Sequence, residues 1–175
     1  MEDKELMLVS VVSLVEDPVN GGPIVVLHDQ PSNRLLPIWI GEPEARAISV
    51  ALNHMKIPRP LTHTLILSVI EKMGGRLARI EVDRLKNHTY FASLVLQIKE
   101  GIISVDARPS DAIALALEAR APLFVARSVM DEAGQKNPFP EVSLRQEKRE
   151  MNQEDVKKLK ELFEKARERE QKSGN

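Results

Sequence analysis

The chain is 175 residues long, which suits one domain with an appendage and can bury a substantial core. It has no cysteine, which excludes a disulfide framework, a thiolate zinc site and a thiol nucleophile and points to the reducing cytoplasm. A formal net charge of −1, with one Trp, one Tyr and four Phe, supplies neither a strong positive field nor many stacking surfaces, which disfavours a passive nucleic-acid coat.

The acidic start, Met1-Glu-Asp-Lys-Glu5, leads into a short apolar run and not a signal-peptide core, and no apolar stretch approaches the roughly 20 residues of a spanning helix. Neither export nor membrane insertion is expected. Met7 to Val15 is β-branched and apolar, Asp17-Pro-Val-Asn-Gly-Gly22 is turn chemistry, and Pro23 to His28 resumes the apolar run, so the spacing predicts a β-hairpin. After Gln30-Pro-Ser-Asn33, Arg34 to Ile40 forms a third strand, and Pro37 within it lacks a ladder donor, which favours an edge or bulged position.

Glu42 to Met55 places Ala47, Ile48, Ala51, Leu52 and Met55 at helical spacing, with Glu42 and Glu44 at the positive end and Pro43 at a tolerated early position. Pro58-Arg59-Pro60 imposes an extended linker. Thr62 is then the expected N-cap of a second helix whose inward residues are Leu65, Ile66, Val69, Ile70 and Met73, up to the stop at Gly74-Gly75. A second meander follows over Arg76–Leu85, Thr89–Ile98 and Ile102–Asp106. Ser110 to Arg120 is nearly all alanine and branched aliphatic, a helix buried on most sides, and Leu123 to Ala126 is a short strand.

Laid without a gap on Ile103–Leu117, the segment Ile38–Leu52 matches identically at Ile38, Ala47, Ile48, Ala51 and Leu52. Both copies run from meander through a polar elbow to an alanine-rich helix. The expected fold is therefore α+β, with two duplicated meander-and-helix units sharing a mixed, barrel-like sheet over residues 1–136. Residues 137–175 are read as a linker, broken at Asn137-Pro-Phe-Pro140, and one charged helix. Its stripe of Val156, Leu159, Leu162, Phe163 and Ala166 needs a partner surface.

The two elbows are where chemistry is expected, because a strand ending at a helix N-terminus offers backbone N–H groups to an anion, while acidic side chains there can hold a cation. Glu42 and Glu44 in the first, with Asp106, Arg108, Ser110 and Asp111 in the second, suffice for a Mg²⁺ or Mn²⁺ site acting on a phosphate ester. The same residues also make ordinary turns, with Ser110 as an N-cap, Asp111 and Glu44 as first-turn acids, and Asp106 paired with Arg108. His63, at the start of the second helix, can accept a proton or ligate a metal, and nearby Arg59 can bind a phosphate. His28, His54 and His88 have no metal-ligand spacing. Trp39 reads as a core or interface anchor whose indole N–H needs an acceptor.

Three motifs, Leu36-Pro-Ile-Trp-Ile-Gly-Glu-Pro-Glu-Ala45, Arg59-Pro-Leu-Thr-His63 and Asp106-Ala-Arg-Pro-Ser-Asp-Ala-Ile-Ala-Leu115, closely resemble the bifunctional nuclease domain family, in the family's order, within Leu6–Val129. The resemblance implies an α+β fold with a mixed, barrel-like sheet, a homo-oligomer, and metal-assisted cleavage of RNA and DNA. Carried over by position, Glu42, Glu44, Asp106 and Asp111 become the candidate Mg²⁺ or Mn²⁺ ligands and His63, Asp106 and Asp111 the candidate catalytic groups. Arg59, Arg108 and Ser110 become the candidate substrate contacts. The tail lacks the paired alanines and second helix of the repair-protein hairpin that some relatives carry. A non-catalytic oligomeric binding module stays open as the rival reading, because the part of the chain before the tail is mildly acidic.

Overall fold

In the computed structural model, which describes residues 5–18, 20–139 and 153–172, the first unit runs β1 (Leu6–Glu16), β2 (Pro23–Asp29), β3 (Arg34–Trp39) and α1 (Glu42–Leu52). After α2 (Thr62–Lys72), the second unit runs β4 (Arg76–Lys86), β5 (Thr89–Ile98), β6 (Gly101–Ala107) and α3 (Pro109–Ala119). The described chain ends with β7 (Leu123–Ala126), α4 (Arg127–Ala133), β8 (Gln135–Lys136) and α5 (Gln153–Lys172). Both halves thus run meander, elbow, helix, as the internal match predicts. The short α4 and β8 have no clear periodicity in the sequence.

The strands form one mixed sheet in the order β6-β5-β4-β7-β1-β2-β3-β8. Each meander is antiparallel, and β7 joins them by pairing antiparallel to β1 and parallel to β4. The sheet is open, with β6 and β8 at its edges, and does not close into the barrel that its duplicated pattern suggested. Pro37 sits in β3 beyond the two residues that pair with β8, so its missing N–H interrupts no ladder on that side.

One face carries the main core, in which Ile80, Val82, Leu123 and Val125 of the sheet pack beneath Ile48 of α1 and Ile113 of α3. Seven of the eleven residues of α3 are buried, as its alanine-rich composition predicts. The opposite face of the first meander is covered by α5, whose Leu162 and Phe163 bury against Ile24, Val26 and Leu35. The tail therefore finds its partner surface in its own chain. The side chains of Val156 and Leu159, counted in the expected stripe, lie outside the described residues. Trp39 meets Phe163 edge-on with ring centroids 6.1 Å apart, and its indole N–H donates to Asp17 Oδ2 at 2.9 Å, so the acceptor is the buried turn aspartate. Arg167 of α5 pairs with the same carboxylate.

Three local expectations are corrected. Leu61, not Thr62, holds the N-cap position of α2, with no side-chain cap bond. Met55 lies beyond α1 and is exposed. No residue of α2 is buried: of the face expected to point inward, only Ile70 packs against the main core, joined by Leu67, while Leu65, Ile66, Val69 and Met73 are exposed. The reason is competition, since α1 and α3 already occupy the sheet surface and α2 is left to lean on α3 and the start of β4.

Candidate active site

The first turns of α1, α2 and α3 meet, and each contributes to one polar cluster. Arg108, at the N-cap position of α3, is its centre. Its Nε and one terminal nitrogen donate to the two oxygens of Asp111 at 2.7 and 3.1 Å, and the other terminal nitrogen donates to Glu44 Oε1 at 2.7 Å. This fork matches the planar guanidinium to two carboxylates. Asp111 also meets His63 Nε2 at 3.3 Å. The side chains of His63 and Glu44 are mostly shielded, whereas that of Arg108 is 65% exposed, so the guanidinium is the face of the cluster that a solute meets first.

Local geometry explains the placement. Glu44 lies at the third position of α1 and folds back over Gly41, where a Cβ would collide with its Oε2. Gly41 has an ordinary extended conformation, so what this position requires is the missing side chain and not an unusual backbone. His63 is held because the neighbouring Thr64 Oγ1 donates to Glu118 Oε1 at 3.1 Å, which ties the start of α2 to the far end of α3. Neither Gly41 nor the Thr64–Glu118 bond was anticipated from the sequence. A glycine directly before a helix whose third residue is Glu was the available signal for the first, and nothing local signals the second.

Burial pushes the Asp111 carboxyl upward, but the hydrogen bonds to Arg108 and then His63 outweigh it and hold the group below the usual carboxylate range. The bonds to Asp111 and Glu44 raise Arg108 further above its ordinary value. The cluster is thus a fixed arrangement of charged side chains in which an imidazole is oriented by a carboxylate and a cation faces solvent.

Of the residues expected at the site, the fold brings together Glu44, His63, Arg108 and Asp111. Asp106 is placed apart: Val105 pairs with Leu94 of the main core, so Asp106, one residue on, faces the other side of the sheet opposite Ser93. Ser110 is buried in the first turn of α3, two places past the N-cap position that Arg108 holds. Glu42 is exposed at the first residue of α1, and Arg59 is exposed in the loop before α2. Glu44 and Asp111 both already hold a cation, the Arg108 guanidinium. Among the described residues no group of three or more His, Asp or Glu is arranged to hold a metal ion.

An open α+β sheet whose helix starts converge on an Arg–Asp–His cluster is the class that this geometry defines. The family model for the bifunctional nuclease domain matches residues 25–138, and the chain belongs to that family. It is 36% identical over 149 residues to an uncharacterized protein of Mycobacterium tuberculosis (strain ATCC 25618 / H37Rv), covering 85% of this chain and 87% of that one. It is 30% identical over 125 residues to bifunctional nuclease 1 of Oryza sativa subsp. japonica, covering 69% of this chain and 38% of the relative. With bifunctional nuclease 1 of Arabidopsis thaliana the identity is 31% over 106 residues, covering 58% of this chain and 32% of the relative. The chain thus spans about a third of the length of these plant relatives. Among the described residues no helix is long and apolar enough to cross a membrane.

Proposed function

We propose that this chain hydrolyses phosphodiester bonds in RNA or DNA, with the cluster at the three helix starts as its active site. The observation that carries the reading is the chain of contacts from Arg108 through Asp111 to His63. Arg108 binds the phosphate, as the exposed member of the cluster, and Asp111 holds the imidazole through Nε2. That leaves Nδ1 to take the proton from an attacking water while the P–O bond to the leaving oxygen breaks. Glu44 orients Arg108. The names of the plant relatives support the substrate class.

A divalent cation belongs to this proposal and not to the described geometry. Glu44 and Asp111 would be the residues to hold it, and Mg²⁺ or Mn²⁺ there would supply further charge for the phosphoryl oxygens. The cytoplasm and a homo-oligomeric state complete the reading. The rival reading, a non-catalytic binding module, is favoured by one observation: both carboxylates of the cluster are already satisfied by Arg108, as in a structural ion-pair network.

Cleavage of single-stranded RNA and DNA by repurified wild-type and His63→Ala protein, with and without Mn²⁺ and at two salt concentrations, separates the two. Loss of a general base lowers the rate by roughly 10²–10⁴-fold while the fold persists. Equal trace cleavage by both proteins, or none by either, would move the assignment to the binding module.

A further inference from the structure

β1 changes partner along its length. Leu6–Val9 pairs with β7, whereas the ladder to β2 begins at Ser10, so around the changeover each part of the strand has one side without a neighbour among the described residues. The last turn of α3 ends beside it, and between that turn, β1 and the turn after β2 lies a cavity of about 690 Å³. That is the size of a site for a drug-sized organic molecule, far more than a metal ion or a water needs. Eleven of its sixteen lining residues are apolar, among them Met7, Val9, Val11, Leu117 and Leu123, so whatever fills it presents mostly hydrocarbon.

The polar exception is Asp29. It is 1% exposed, and its partners are neutral: the backbone N–H of Ser32 donates to Oδ2 at 3.1 Å, and the Ser32 hydroxyl donates to the same oxygen. Oδ1 has no hydrogen-bond partner among the described residues. No fully buried side-chain oxygen among them is unpaired, so Oδ1 keeps an opening, and the space that Asp29 lines is the cavity. A carboxylate this deeply buried is ordinarily matched by a cation, but the two arginines at hand are engaged elsewhere. Arg34, its cross-strand neighbour, holds Asp131 at 2.7 Å, and Arg127, in the cavity lining, holds Glu5 at 2.5 Å. His28, also in the lining, meets Asn33 Oδ1 at 3.1 Å. The end of α3 adds negative potential of its own, because Ala116 and Leu117 of its last turn form part of the wall.

We propose that this cavity binds a small organic cation, a primary amine on an apolar body, its ammonium donating to Asp29 Oδ1 and its hydrocarbon lying along Met7, Val9, Val11 and Leu117. The charge sets the class: an anion would meet the Asp29 carboxylate and the helix end, and a neutral apolar molecule would leave Oδ1 unpaired. The cavity lies at the far end of α3 from Arg108 and Asp111, so it stands independently of the nuclease reading.

Thermal unfolding and calorimetric titration of the full chain with three probes of similar shape, 2-phenylethylamine, 2-phenylethanol and 3-phenylpropanoate, test it. The amine is expected to raise Tm and to saturate, the alcohol to bind at least about tenfold more weakly, and the carboxylate not to bind. Asp29→Asn, which keeps an oxygen for Ser32, should bring the amine down to the level of the alcohol while circular dichroism stays that of a folded protein. Ala121→Phe, which fills the cavity and leaves Asp29 in place, should abolish binding of amine and alcohol alike. Should one variant fail to fold, the other decides, together with the order of the three probes on the wild type. No amine binding up to about 10 mM, equal affinity for the three probes, or amine binding untouched by both substitutions would each overturn the proposal.

Discussion

Ile38 and Ile103 occupy matching places at the ends of two similar meanders, yet Ile38 is 3% exposed and Ile103 is 43% exposed. The strands that carry them differ as a whole: β3 is buried along its middle, and β6 is exposed along nearly all its length. What separates them is not local sequence but cover. β3 is extended at one end by β8 and is flanked by α4, and its back lies under α5, whereas nothing described covers β6. Two copies of one pattern thus end as a finished half and an open half, and burial is set by what arrives later in the chain.

The largest expected effect comes from truncating the matched isoleucines. Ile38→Ala should lower the unfolding free energy by about 2–5 kcal/mol, as a buried branched side chain leaves a cavity. Ile103→Ala should instead cost under about 1 kcal/mol, because the side chain it truncates is already exposed. Urea unfolding measures both, and equal losses would erase the distinction between the halves.

Removing the cover is the next test. Phe163→Ala should cost about 3 kcal/mol if α5 is integral to the fold, and less if the helix merely leaves the surface. Trp39, the chain's single tryptophan, reports directly, because its contact with Phe163 is lost and its fluorescence should shift to the red. An unchanged spectrum would mean that the tail is not seated on the first meander.

Smaller changes probe the cluster between the halves. Gly41→Ala places a methyl group where Glu44 Oε2 lies, so Glu44 should leave Arg108. Stability should fall by no more than about 1 kcal/mol, as the backbone there suits alanine, while turnover in a cleavage assay falls further, on the order of tenfold. Parallel losses in both would mean that the ion pair only supports the fold.

The smallest effect is in acid. Because the Asp111 carboxyl is held below its ordinary range, its stabilising contribution is fully present above that range and disappears as pH falls through the lowered value. Both partners are within reach of water, so the contribution is at most about 1 kcal/mol. The stability gap between wild type and Asp111→Asn, followed by urea unfolding from pH 6 to pH 2, should narrow as the pH falls. A gap that stays constant would remove Arg108 and His63 as the cause.

Much of this was legible along the chain because it rests on near-neighbour chemistry. Strand alternation, turn residues at Asp17–Gly22 and Gly74-Gly75, the alanine-rich face of α3 and the repeat between the halves all depend on residues a few positions apart. Four of the eight candidate site residues converge for the same reason, since each sits in the first turn of a helix. Asp106 was not separable from them by sequence: one step of strand alternation turns it to the opposite face, and the register that decides this is set by Ser93, thirteen residues earlier. Likewise helical spacing determined that α2 has an apolar face, but which surface that face meets depended on α1 and α3 taking the sheet first. Pattern specifies a surface's chemistry; competition for the core, a long-range packing matter, decides whether that surface is buried, and only the tertiary structure records the outcome.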